Sequence, residues 1–241
     1  MPDVEICIDC SEATSALVSA EAAVLGGAHR IECCSAMEVG GLTPDLEIMQ
    51  AIIDSVGGRI DILAMIRPRS GDFNFSRPER LSMLTSAESL ISMGVDGIVI
   101  GSLLDGEIDD TFCAELASFA SYNGVTVTFH RAFDALLEPT QALSFLEENR
   151  VRRVLTSGNP WASNKKADEG IQTILAYSKA SPNIEWVVGG GVSQANASTI
   201  CDGLSGIPFS IHAYSSVLED GVTSKEKVQA LVELTKSKSQ L

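Results

Sequence analysis

Cys7 and Cys34 close two consecutive apolar runs, Val4–Cys7 and Arg30–Cys34. Side chains along a strand alternate between its two faces. In the first run Val4, Ile6 and Ile8 form the apolar set, leaving Glu5, Cys7 and Asp9 for the opposite face. In the second, Ile31 and Cys33 fall on one side and Arg30, Glu32 and Cys34 on the other. If the runs are neighbouring strands, about 4.8 Å apart, both thiols look into one space and could share a metal ion. Thiolates select Cu(I) or Zn over hard cations. Zn usually takes four ligands, no well-placed second pair is evident, and two thiolates suit the low coordination of Cu(I). Two other readings stay open: a pair of small buried hydrophobes or a disulfide. Cys10, just past the first run, is a further candidate for the same ion, although on a strand it points away from Cys7, which argues against a redox pair. Cys33 faces away, and Cys113 and Cys201 fall in helical stretches, where they read as core.

A second group could do acid–base or anion chemistry. Glu32, Arg67 and His130 lie at or near the ends of apolar runs. His130 could serve as a general acid or base near neutral pH, and Arg67 could clamp a carboxylate or phosphate. Arg69 with Asp72, and Arg131 with Asp134, read equally as loop-holding ion pairs. Gly189-Gly190-Gly191, ahead of an expected helix start near Ser193, fits an anion cradle of free backbone N–H groups. Together these residues define an alternative to metal binding: an enzyme acting on a small anionic, phosphorylated metabolite.

The elements that must position these residues are eight apolar runs: Val4–Cys7, Arg30–Cys34, Ile60–Arg67, Gly97–Ile100, Val125–His130, Arg153–Thr156, Trp186–Val188 and Phe209–His212. Each gap between them holds one helix. Ser11–Leu25 ends at a Gly26-Gly27 stop; Thr43-Pro44 reads as N-cap and first position of a second helix; Ser76 to Glu79 has capping-box spacing. Helices should follow Asp109-Asp110 and Glu138-Pro139, run from about Ala167 to Lys179, and cover Ser224–Lys236. Eight strand–helix units predict an α/β fold, a TIM (β/α)₈ barrel, as one domain over residues 1–241. An open doubly wound sheet would place its glycines after the first strand, whereas here they follow the seventh. In a barrel, chemistry gathers where the strands end, so Cys7, Cys34, Arg67, His130, Gly189–Gly191 and His212 should ring one mouth. Glu5 and Arg30, near the other end, should form ion pairs within the barrel.

The chain has 241 residues, 45% hydrophobic and only 5% aromatic, so its core is aliphatic. A net charge of −15 argues against nucleic acid and anionic membrane as partners. No apolar run approaches the roughly 20 residues of a membrane span, and the start lacks the features of a signal peptide. Six scattered cysteines, two adjacent, do not form a secreted disulfide framework. The expectation is an intracellular protein with reduced thiols.

Several blocks resemble the CutC family of copper homeostasis proteins. They are Arg30-Ile31-Glu32-Cys33-Cys34-Ser35 with Gly40-Gly41-Leu42-Thr43-Pro44; Met65-Ile66-Arg67-Pro68-Arg69-Ser70-Gly71-Asp72-Phe73; Thr128-Phe129-His130-Arg131-Ala132-Phe133-Asp134; Val154-Leu155-Thr156-Ser157-Gly158; and Gly189-Gly190-Gly191. They keep the family's order across most of the chain. The resemblance implies a (β/α)₈ barrel holding one Cu(I) per subunit, in the cytoplasm and also the nucleus, self-associating as a dimer or tetramer. It also implies Cys7 and Cys34 as the copper ligands, the pair that alternation selects. The chain departs from the family in a longer segment between its first two strands, and in Ala213 where relatives often carry a cysteine after the eighth-strand His212.

Overall fold

The eight runs pair as parallel strands in one closed ring. They are β1 (Asp3–Asp9), β2 (Arg30–Cys34), β3 (Asp61–Met65), β4 (Gly97–Ile100), β5 (Thr126–Phe129), β6 (Arg153–Thr156), β7 (Glu185–Val188) and β8 (Phe209–Ala213). Each strand neighbours its sequence successors, and β8 closes on β1 with Asp3 opposite Ser210 and Glu5 opposite His212. The fold is therefore the expected (β/α)₈ barrel in a single domain. This computed structural model describes residues 1–236. Among them no helix is long and apolar enough to cross a membrane.

Helices α1 (Ala13–Leu25), α2 (Leu46–Val56), α3 (Arg77–Ser92), α4 (Asp110–Tyr122), α5 (Pro139–Glu148), α6 (Ile171–Ala180), α7 (Ala197–Gly203) and α8 (Lys225–Lys236) surround the ring. The outward set of strand residues, including Val4, Ile6, Ile8, Ile31, Cys33, Ile62 and Ala64, is fully buried against them. Ser76 and Glu79 form the expected capping box of α3, and Asp109 caps α4.

Two helix starts differ from the sequence reading. Helix α2 is capped by Asp45, which accepts from the amides of Glu47 and Ile48. Thr43 is drawn off instead by a long-range partner: its hydroxyl accepts the Arg67 amide proton at 2.8 Å. Helix α7 begins at Ala197, not near Ser193, because the Asn196 side chain folds back to accept the Ser193 amide at 2.8 Å and holds that stretch as a turn.

The half of the lumen near the strand starts is filled by ions rather than hydrocarbon. Glu5, 1% exposed, takes Arg153 Nη2 at 2.5 Å and Arg30 Nε at 3.3 Å. Arg30 reaches Glu185 at 2.7 Å and Asp3 at 2.9 Å, and Arg153 also donates to the Thr128 hydroxyl at 2.7 Å. Paired in this way, the buried charges escape most of the cost of leaving water. The expected pairing of Glu5 with Arg30 is present, and Arg153 completes it. Burial opposes ionisation of Glu5, but Arg153, His212 and Arg30 outweigh it and hold its carboxyl far below the usual range.

A thiol–carboxylate cluster at the barrel mouth

Beyond this ion plug the lumen opens into a cavity of about 250 Å³ at the C-terminal ends of the strands. Strand alternation decides what lines it. In the β1–β2 ladder Cys7 stands opposite Glu32, and Asp9 opposite Cys34, so the inward set includes both thiols and the carboxylate between them. Cys7, Cys34 and Glu32 are each at most 2% exposed. One donor atom from each lies within 4.8 Å of the others. The cysteines are unbridged. Met37, carried on a 3₁₀ turn (Met37–Val39) after β2, brings a thioether over them, with Cys7 Sγ 3.6 Å from its Sδ. Leu63, Met65 and Val99 close the apolar side.

Gly41 covers Cys34 closely. Its φ is +85°, and a Cβ there would meet the Cys34 sulfur at 3.2 Å, so both conformation and space call for glycine.

The electrostatics favour the protonated form of both thiols. The adjacent Cys34 thiol, with burial behind it, pushes the Cys7 thiol well up from its ordinary value. Cys34 is favoured as thiolate by its bond with Cys7, but burial and Glu32 prevail and push it up to about 12. Burial also raises the Glu32 carboxyl. Glu32 Oε2 lies 3.4 Å from His212 Nε2, while His212 Nδ1 lies 2.9 Å from Glu5, so one imidazole bridges two buried carboxylates. Burial disfavours the charged His212, but Glu32 and Glu5 outweigh it and raise its pKa. Glu32 Oε1 has no hydrogen-bond partner among the described residues.

This donor set fits a soft monovalent cation. Two thiols, a thioether and a carboxylate with a free oxygen converge in a buried space, and sulfur-rich sets select Cu(I). A structural Zn site would need four committed ligands.

The remaining sequence candidates divide. Cys10 is turned to the helix side, among the apolar core, with its thiol 3.8 Å from the Ile8 carbonyl. Strand alternation carries it away from Cys7. Arg67, 2% exposed, has its fork engaged by backbone: Nη1 donates to the carbonyls of Val39, Gly40 and Gly41 at 3.2–3.4 Å, and Nη2 to that of Gly71 at 3.0 Å. It ties together the loops after β2 and β3, and its Nε has no hydrogen-bond partner among the described residues. Burial lowers its pKa. His130 is buried against Phe73, ring centroids 5.1 Å apart, and its Nδ1 accepts the Ala132 amide at 3.1 Å. Burial lowers its pKa to about 3, so it stays neutral with its proton on Nε2. In this form the imidazole offers its Nε2–H as a hydrogen-bond donor.

Of the three glycines, Gly190 and Gly191 line the cavity. Gly189 continues the ladder instead, its amide donating to Thr156 at 3.0 Å. Arg131 and Asp134 pair as the sequence suggested, at 2.9 Å, as do Arg69 and Asp72 at 2.9 Å.

Sequence reasoning put His212 at the mouth but did not join it to Glu5 and Glu32. The signal was available: closing the ring sets β8 beside β1, with His212 opposite Glu5. Met37 lies in an irregular turn whose position no periodicity predicts.

Comparison with known proteins bears on the fold and the family. The CutC family model matches residues 3–213. A CutC family protein of Vibrio atlanticus is 40% identical over 202 residues, covering 82% of this chain and 76% of its own. A copper homeostasis protein cutC homolog of Homo sapiens is 37% identical over 215 residues, covering 88% and 74%. The crystal structure of CutC from Streptococcus agalactiae superposes with a TM-score of 0.75 at 27% identity, over 88% of this chain and 98% of that one. A 3-keto-L-gulonate-6-phosphate decarboxylase from Vibrio cholerae, at TM-score 0.67 and 12% identity, shares the barrel alone. The chain belongs to the CutC family.

Proposed function

We propose that the protein binds one Cu(I) ion through the Cys7 and Cys34 thiolates and thereby buffers or delivers copper in the cytosol. The observation that carries this reading is the convergence of Cys7, Cys34 and Glu32 donor atoms within 4.8 Å in a buried space. Met37 offers a third sulfur, and Glu32 a nearby carboxylate. Binding exchanges two thiol protons for the ion. The relatives named for copper homeostasis support the assignment. Unbridged thiols suit a reducing compartment.

Anaerobic competition for Cu(I) against bicinchoninate tests the proposal. The wild type should withdraw one equivalent from the chelator. The Cys7→Ala, Cys34→Ala double variant should withdraw none, and wild-type affinity in that variant would refute the proposal. Light scattering on the same samples reads self-association, for which the family resemblance leads us to expect a dimer or tetramer.

A further inference from the structure

The cavity is larger than one ion needs, and its wall away from the sulfurs has a different chemistry. Three buried side-chain atoms of residues lining the cavity have no hydrogen-bond partner among the described residues: Glu32 Oε1 beside the thiols, and the N–H groups of Arg67 Nε and His130 Nε2. Buried donors left unpaired are costly and call for a ligand. Arg131 presents a further donor. Its Nε and Nη2 are held by Asp134 and its Nη2 also by Ser157, while Nη1 lies 3.4 Å from where a Cβ on Gly190 would be. Gly190 and Gly191 have φ of +92° and +84°, and among the described residues their amides donate to no protein acceptor. Lys166 lays its stem over Gly191 and forms no ion pair among the described residues. In a chain of net charge −15 this is a local concentration of cations and N–H donors.

We propose that this wall binds the phosphate group of a small phosphate monoester, held by Arg131 Nη1, the amides of Gly190 and Gly191, and the Nε2–H of His130. Two successive free amides beside one guanidinium nitrogen, Arg131 Nη1, offer donors in several directions and suit a tetrahedral oxyanion better than a planar carboxylate. Loops after the seventh and eighth strands are where barrels commonly seat phosphate. Phe73 and Trp161, 5.1 Å apart, supply an apolar floor for the rest of the molecule. The inference goes beyond copper binding and does not depend on it.

Trp161 lines the cavity and stacks on Arg131 at 4.9 Å, whereas Trp186 is fully buried elsewhere, so tryptophan emission reports on this wall. The full-length protein is titrated with glycerol 3-phosphate, inorganic phosphate and malate, with calorimetry in parallel. Glycerol 3-phosphate should saturate, about 10-fold tighter than malate. Arg131→Lys, whose single ammonium cannot hold Asp134 and reach the anion at once, should weaken it about 10-fold, and the exposed Lys166→Gln roughly 2-fold. Should Arg131→Lys fail to fold, Lys166→Gln together with phosphorus-31 line broadening of the wild type decides the case. The Cys7→Ala, Cys34→Ala variant should bind glycerol 3-phosphate as the wild type does, and Arg131→Lys should keep wild-type Cu(I) affinity, so the two proposals fail separately. The inference is overturned if no probe saturates by about 10 mM, if malate binds as tightly, if inorganic phosphate binds but its monoester does not, or if a folded Arg131→Lys, or Lys166→Gln where it decides, binds unchanged.

Discussion

Glu5 on β1 and Arg153 on β6, 148 residues apart in sequence, meet across the lumen with Oε2 2.5 Å from Nη2. This contact ties strands three places apart in the ring. Removing the carboxylate charge leaves Arg153 and Arg30 facing each other in a buried space. Glu5→Gln should cost about 3–5 kcal/mol, lowering the melting temperature by roughly 10 °C in a chain of this size. Calorimetry checks it, and a variant within about 2 °C of wild type would show that the ion plug contributes little to stability.

His130 should make stability depend on pH. Its pKa is lowered by burial to about 3, against about 6.5 in the unfolded chain. Between these values the unfolded chain binds the extra proton, so stability is fully present above about pH 6.5 and is lost as pH falls toward 3. The slope from this residue is at most about 1.4 kcal/mol per pH unit. Denaturant unfolding of wild type and His130→Asn from pH 7 to 4 isolates it: the variant's curve should be flatter by that amount.

Met37 lies 3.6 Å from Cys7 as a soft third donor. Met37→Leu keeps the apolar volume and removes the sulfur. It should weaken Cu(I) binding by roughly 3- to 10-fold while leaving the melting temperature unchanged within about 2 °C. The bicinchoninate competition measures the first and a thermal scan the second.

Arg67 holds four backbone carbonyls from two loops. Arg67→Met strips four carbonyls of their donor, the Gly41 carbonyl in a buried position, and should cost about 1–3 kcal/mol. Amide exchange should quicken first around residues 39–41 and 71. Arg67→Lys should not restore protection, because one ammonium cannot reproduce the planar fork.

Much of this was legible in sequence because barrel strands obey strict alternation. The apolar set Val4, Ile6 and Ile8 fixes the inward face of β1, and with it Cys7; the same parity places Cys34 and Glu32. What alternation could not supply were contacts made by irregular segments. Thr43 looks like a helix cap in isolation and is claimed by Arg67 from the next strand. Arg67 itself looks like an anion clamp until the loop carbonyls that surround it are placed. The three glycines are equivalent in sequence, yet Gly189 continues a ladder while Gly190 and Gly191 face the cavity. Cys10 is only three residues from Cys7, but an odd spacing on a strand puts it on the other side of the wall.

The ionic plug of Glu5, Arg30, Arg153 and Glu185 seals the lumen beneath the thiols. A Cu(I) ion held as proposed by Cys7 and Cys34 would therefore enter and leave through the open end of the cavity. A recipient cannot draw the ion out from behind; it has to come to the same rim and compete there for the sulfurs. Handover in such a vessel is governed by what can approach that one opening.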